Sequence, residues 1–254
     1  MYESCGVKGD DLNKKVDYGN FKPLDSVDRY RLIVRSWGPE KSGKNHFGLT
    51  GPSPIFGLYF DPGGTEGVAE KFIREGKEVH AVQYRYDKSK QDQSAAKDLR
   101  DQFIEDYEVA LKYARLIQWD ETEVWELFRW AQFGGDSDAP KYYAPLNAQY
   151  RFLIQSAYDS GVNLQLIQKV KEKWGENAAG KPRPTGGFEP TGFKEANYIV
   201  QANLEHNWTK EEGFTVRVVN SRQNMSLSGE TYGGLDWPML GNLIFPESSD
   251  KDWQ

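Results

Sequence analysis

The sequence predicts an α/β fold: a mostly parallel central sheet flanked by helices, with an antiparallel β-hairpin at one edge near the C-terminus. Three observations carry this. Short apolar runs alternate with amphipathic stretches along most of the chain, the pattern of strands joined by crossover helices. No segment repeats, so the alternation implies one mostly parallel sheet covered on both faces. Two late runs, 197–206 and 214–220, alternate in period two around the turn Lys210-Glu211-Glu212-Gly213 and read as the hairpin.

At 254 residues the chain can bury a substantial core in one large domain or two small ones. Residues 1–28 are polar with no clear period and read as an N-terminal arm, either docked on a neighbour or frayed. Residues 29–246 carry the domain, and 247–254 form an acidic tail expected to fray. A net charge of −6 argues against a broadly basic nucleic-acid surface, though not against a local basic groove. One cysteine, Cys5, rules out an internal disulfide framework and fits a reducing cytoplasm. No run approaches the ~20 apolar residues that span a bilayer, and the N-terminus has no apolar signal core. A cytoplasmic protein without a membrane partner is therefore expected.

The first element is a buried strand through Leu32, Ile33 and Val34. It leads into Gly38-Pro39-Glu40-Lys41-Ser42-Gly43-Lys44-Asn45, which fits the phosphate-loop pattern GxxxxGK[ST] except at its last position. Gly38 and Gly43 let the backbone bend so that several N–H groups converge, and a helix starting near Lys44 adds His46 to the candidate cradle. Lys44 is placed to reach the β- and γ-phosphates. Asn45 stands where a hydroxyl residue holds Mg²⁺; an amide oxygen can also ligate that ion. The bland alternative is a glycine-containing turn. Gly51-Pro52-Ser53-Pro54 stops the helix, and a second strand, 55–60, delivers Asp61. Asp61 and Glu66 are candidates for a water-activating base, against the alternative of acidic caps on a turn.

Farther on, 68–75 reads as a helix closed by Gly76, and 78–86 as a β-rich strand. A long amphipathic helix, 94–113, follows a charged loop, with Leu99, Phe103, Ile104, Tyr107, Ala110 and Leu111 at helical spacing. The next apolar strand ends at Asp120, a candidate Mg²⁺ carboxylate, with Glu121 beside it. The helix 123–133 is apolar on two faces and should be buried on both. After a helix at 148–160, the strand 163–167 ends at Gln168, placed as a γ-phosphate sensor. Lys169 and Lys171 alternate, so in extended chain they point the same way. They are finger candidates or a solvated basic edge. Arg222, just after the hairpin, is a further finger candidate. Residues 175–192 are rich in glycine and proline and read as a mobile loop; Lys181, Arg183 and Phe188 there suit single-stranded nucleic acid, or no partner at all. Leu243, Ile244 and Phe245 suggest a last short strand.

These motifs, in this order, resemble the RecA-like P-loop ATPases carried by bacteriophages, the group of NTP-binding proteins associated with single-strand annealing and recombination. The stretches that carry the likeness are GPEKSGKNHFGLTGPSPIFGLYFD, DPGGTEGV, QWDETEVWELFRWAQFG, NLQLIQKVKEKW, GFKEANYIVQANLEH and SRQN, spanning about residues 28–245. The resemblance implies a RecA-like core that binds ATP and Mg²⁺. Residues 38–45 cradle the phosphates, Asp120 is the second metal ligand, Glu66 activates water and Gln168 senses the γ-phosphate. Lys169 and Lys171 reach a neighbour's nucleotide. It implies a homo-oligomer, ring or filament, acting with single-stranded DNA and with a single-strand-binding or annealing protein. Three departures stand out: Asn45 replaces the hydroxyl residue, Glu40 puts a negative charge in a loop meant for an anion, and Trp119 precedes Asp120 where a smaller aliphatic is usual. A nucleotide-binding scaffold that no longer hydrolyses is the alternative these departures motivate. A small-molecule kinase is disfavoured, because no acceptor site or arginine-rich lid is present.

Overall fold

The computed structural model describes residues 30–61, 66–87, 89, 92–134, 143–176 and 181–253, with the backbone alone at 66. The expected arm at 1–28 lies outside the described residues. Ten strands and seven α-helices are described: β1 (Ile33–Trp37), α1 (Lys44–Leu49), β2 (Ile55–Tyr59), α2 (Glu66–Arg74), β3 (Val79–Gln83), α3 (Gln93–Tyr113), β4 (Leu116–Asp120), α4 (Glu121–Phe133), α5 (Tyr143–Ser160), β5 (Asn163–Gln168), β6 (Val170–Glu176), β7 (Pro182–Pro190), α6 (Ala196–Ile199), β8 (Ala202–Thr209), β9 (Gly213–Ser221), β10 (Thr231–Gly233) and α7 (Trp237–Ile244).

Eight strands form one sheet in the order β10-β9-β8-β1-β5-β4-β2-β3. From β8 to β3 all neighbours run parallel; β9 is antiparallel to both β8 and β10. The mixed α/β sheet with an antiparallel hairpin at one edge is thus as the alternation of runs predicts. Every residue of β1, β4 and β5 is buried, as expected where helices cover both faces of a parallel sheet.

The two faces carry separate cores. On one, α3, α4 and α5 enclose Trp119, Phe103, Tyr107, Phe128 and Tyr150. Phe128 meets Tyr150 edge-on at 5.5 Å, and Tyr107 meets Trp119 at 4.8 Å. Such pairs add ~0.5–1.5 kcal/mol each beyond their area burial. Trp119 therefore fills the core behind β4 and does not intrude on the loop beside Asp120. On the other face, α1 and α7 pack on Val34, Leu116, Leu204 and Val218. Asp92 starts α3 by accepting hydrogen bonds from the amides of Ser94 and Ala95.

Four expectations need correction. Residues 175–192 are not a loop throughout: β6 and β7 pair as a two-stranded antiparallel ribbon, with a register shift between Glu172 and Trp174. Pairing with the facing strand forms the ribbon in spite of the glycines and prolines, because each strand supplies the other's partners, and prolines are tolerated in strands that lie at an edge. Residues 243–245 do not form a strand. Asp236 caps α7 by accepting from the Met239 amide at 2.8 Å, and Trp237, Leu240, Gly241 and Ile244 face inward at helical spacing. The tail does not fray over its described part: Trp253 is fully buried and its indole N–H donates to Asn242 Oδ1 and Ser248 Oγ at 3.0 Å each. The hairpin's first strand begins later than expected, because 196–199 form the short helix α6.

Candidate phosphate-binding site

Because β1, β2, β4 and β5 are parallel, the loops that leave them open on one end of the sheet. The 38–43 loop, Asp61, Asp120 and Lys169 all lie at that end. A crevice outside the carboxyl ends of parallel strands is where open α/β sheets place their ligands.

The loop after β1 is tightly closed. Gly38 has φ 152°, and a Cβ there would lie 2.1 Å from the His206 carbonyl oxygen, so only glycine lets the loop pass β8. Gly43 has φ 87° and leads into α1. Ser42 Oγ donates to Pro39 O at 2.8 Å. Lys44 Nζ folds back into the loop and donates to Gly38 O at 2.8 Å and Pro39 O at 2.7 Å. Burial lowers the Lys44 pKa to about 8, against the pull of Asp120, Glu40 and Asp61 in the other direction. Pro39, Glu40 and Lys41 are exposed at the rim. The Glu40 charge therefore acts on the lysine from outside the loop. Asn45 is half-buried, and His46 is exposed with its ring 5.0 Å from Phe72.

Asp120 ends β4. Its Oδ2 accepts from the Phe60 amide at 2.7 Å and the Asp61 amide at 3.3 Å, which ties the exit of β2 to β4. Burial pushes its pKa up to about 6. Asp61 is exposed and accepts from Lys169 Nζ at 3.1 Å; Glu123 accepts from the same ammonium at 2.6 Å. Burial lowers the Lys169 pKa, but hydrogen bonds and charge from Glu123 and Asp61 outweigh it and raise the net value. Lys169 thus sits in its own chain's crevice, whereas Lys171 pairs with Glu189 at 3.1 Å out on the ribbon.

Gln168 is fully engaged below the crevice. Its amide nitrogen donates to Glu121 Oε2 at 2.6 Å, and its oxygen accepts from Arg35 Nε. The structure does not bring Gln168 to the loop. Glu121, next to Asp120 in sequence, points to the opposite sheet face and is completely buried. Its Oε1 accepts from the Phe193 amide at 2.7 Å, just beyond β7, and burial pushes its pKa up to about 7. Glu121 therefore grips the ribbon's return, and through Gln168 its departure. Thr122 completes the anchor, accepting from the Lys169 amide at 3.0 Å.

Sequence reasoning missed the floor of the site. A chain of buried polar side chains crosses the sheet beneath α1. Tyr59 O–H donates to Gln118 at 2.7 Å, Gln118 to Gln165 at 2.7 Å, and Gln165 to Ser36 Oγ at 2.9 Å. Ser36 Oγ lies 3.1 Å from His206 Nε2. Burial, with the nearby Lys44 charge, lowers the His206 pKa to about 3, so the ring is neutral. Gln165 also donates to Lys44 O at 2.9 Å. Gly48 lets α1 lie flush on this floor: a Cβ there would be 1.8 Å from Gln118 Nε2. The available signal was polar residues inside otherwise apolar strand runs.

The remaining candidates lie apart. Arg183 and Phe188 lie on β7 of the ribbon and Lys181 just precedes it. Arg222 follows β9, which runs antiparallel, so it lies at the end of the sheet opposite the loop, where its charge acts on Tyr158. The side chain of Glu66 lies outside the described residues. No protein-family model matches the sequence, and comparison with curated proteins gives no match. Among the described residues no helix is long and apolar enough to cross a membrane.

Proposed function

We propose that this is a RecA-like, Mg²⁺-dependent ATP-binding and ATP-hydrolysing protein that acts on single-stranded DNA as a homo-oligomer, in phage recombination or replication. One observation carries the reading. The Gly38-to-Asn45 loop folds around the Lys44 ammonium at the carboxyl end of β1, and the Asp120 carboxylate lies within its electrostatic reach, across β5. A polyphosphate offers Lys44 stronger acceptors than the two carbonyls it holds here.

The donor set suits Mg²⁺, which takes one or two protein ligands and completes its shell with phosphate and water. Asp120, with a carboxylate destabilised by burial, and the Asn45 amide are the residues that would hold it. The ion would supply neutralisation of phosphate charge. The chain's own residues would align the triphosphate for in-line attack by water, with Glu66 as base and the positions of Lys44 and the loop amides lowering the barrier. Lys171, paired with Glu189 on the ribbon, and Arg222, at the end of the sheet opposite the loop, suit contact with a neighbour's site in an assembly. The ribbon, with Lys181, Arg183 and Phe188, suits a DNA strand.

A second reading keeps nucleotide binding and drops turnover. Asn45 in place of a hydroxyl residue, and Gln168 locked between Arg35 and Glu121, favour it. A phosphate-release assay with and without single-stranded DNA separates the two. Release that Lys44→Ala abolishes supports the ATPase. Nucleotide binding without release, rescued by Asn45→Thr, supports the scaffold.

A further inference from the structure

The β8–β9 hairpin carries two large rings that the site described above does not use. Trp208 and Phe214 are directly opposed across the hairpin. Each is 53% exposed, and their ring centroids are 6.4 Å apart. Side chains alternate along a strand, so Trp208 shares a sheet face with His206, and Phe214 shares it with Val216. His206 packs its ring on Phe47 of α1 at 5.4 Å. The Trp208–Phe214 pair is the next rung on α1's face, one step nearer the hairpin tip. The phosphate loop lies beside it: a Cβ at Gly43 would be 3.0 Å from Phe214 Cδ1. On the other flank the Gly234 amide donates to Phe214 O at 3.4 Å, and a Cβ at Gly234 would meet nothing within 4 Å.

We propose that Phe214 and Trp208 form the wall that receives the sugar and base of a nucleotide whose phosphates lie in the 38–45 loop. This rests on the phosphate-loop reading proposed above. Phe214 stands against the loop at Gly43, and Trp208 faces it across the hairpin, so the two half-exposed rings offer an apolar surface to the part of a nucleotide that extends beyond its phosphates. Phosphate gains little from an apolar ring, whereas a base offers a π-face that stacks without regard to its identity.

The test titrates Mg-ATP and inorganic tripolyphosphate into the full chain, into a Trp208→Ala/Phe214→Ala double variant and into Lys44→Ala. The wild type is expected to bind both ligands. The ring variant should lose ATP affinity by about ten- to a hundredfold, the worth of one stacked base, while tripolyphosphate affinity stays within about twofold. Lys44→Ala should lose both. Phe214→Tyr, which keeps the ring, should retain ATP affinity and guards against misfolding of the double variant. Unchanged ATP affinity in the ring variant, with both ligands bound by the wild type, overturns the base site alone. An equal loss of both ligands overturns it too, because the rings would then act on the loop. A wild-type chain that binds neither ligand overturns the phosphate-loop reading together with this one.

Discussion

Lys44 and Glu121 are the residues whose chemistry is most sensitive to their surroundings. With a pKa lowered to about 8, the free Lys44 amine loses its proton above that pH. A polyanion binds the protonated form and raises its pKa, so ATP affinity should hold below pH 8 and fall as pH rises through it. The complex should take up a proton on binding in that upper range, measurable by calorimetry in buffers of different ionisation heat. Lys44→Ala should remove both the affinity and the proton uptake. Glu121 has the opposite sign. Its folded pKa of about 7 exceeds the ordinary 4.5, so the native state binds the extra proton between those values. The stability it contributes is present below pH 4.5 and declines as pH rises to 7, by no more than about 3 kcal/mol. Urea denaturation of wild type minus Glu121→Gln should show that slope, and hydrogen exchange at the ribbon roots should rise in the variant, which keeps only one of the two acceptor oxygens.

At the scale of elements, α1 and the ribbon make separate predictions. Gly48→Ala would drive a methyl group into the Gln118 and Gln165 amides beneath α1. We expect a loss of about 1–3 kcal/mol in unfolding free energy, the usual cost of overpacking, together with weaker ATP binding as α1 lifts. On the ribbon, removing Lys181 and Arg183 should lower the dependence of single-strand affinity on log salt by about 0.7 for each phosphate no longer neutralised. Phe188→Ala should weaken binding without changing that slope. Trp174, 59% exposed on β6, is a second ring available for the same strand. Elements with uniform signals were legible from sequence: the apolar runs of β1, β4 and β5, and the helical stripes of α3 and α4. The ribbon and α7 were not. In the ribbon, glycine and proline masked a pairing that only the partner strand supplies. In α7, an apolar triplet at residues 243–245 looked like a strand until the Asp236 cap and the Trp253 packing fixed a helix.

At the scale of the whole molecule, the sheet order explains why distant sequence motifs can share one crevice. β5 lies between β1 and β4, so the loop and Asp120 flank it, and its exit leads into the ribbon. The order of motifs was readable; the register was not, because nothing in one sequence fixes which strand sits between two others. For the same reason the polar floor from Tyr59 to His206 was invisible: its members come from five strands. That Gln168 turns toward Glu121 also follows from alternation along β5, which puts it on the face away from Gln165. The same topology keeps Arg222 far from its own loop, so any effect of Arg222→Ala on turnover should depend on protein concentration, as expected of an assembly.

The most direct measurement is a crystal structure of the full chain soaked with a non-hydrolysable ATP analogue and Mg²⁺. It should place the β-phosphate among the amides of residues 38–45, with Lys44 Nζ moved off the Gly38 and Pro39 carbonyls and onto phosphate oxygen. Phosphate bound elsewhere, or a lysine that keeps those carbonyls while the turn stays closed at saturating analogue, would contradict the nucleotide site.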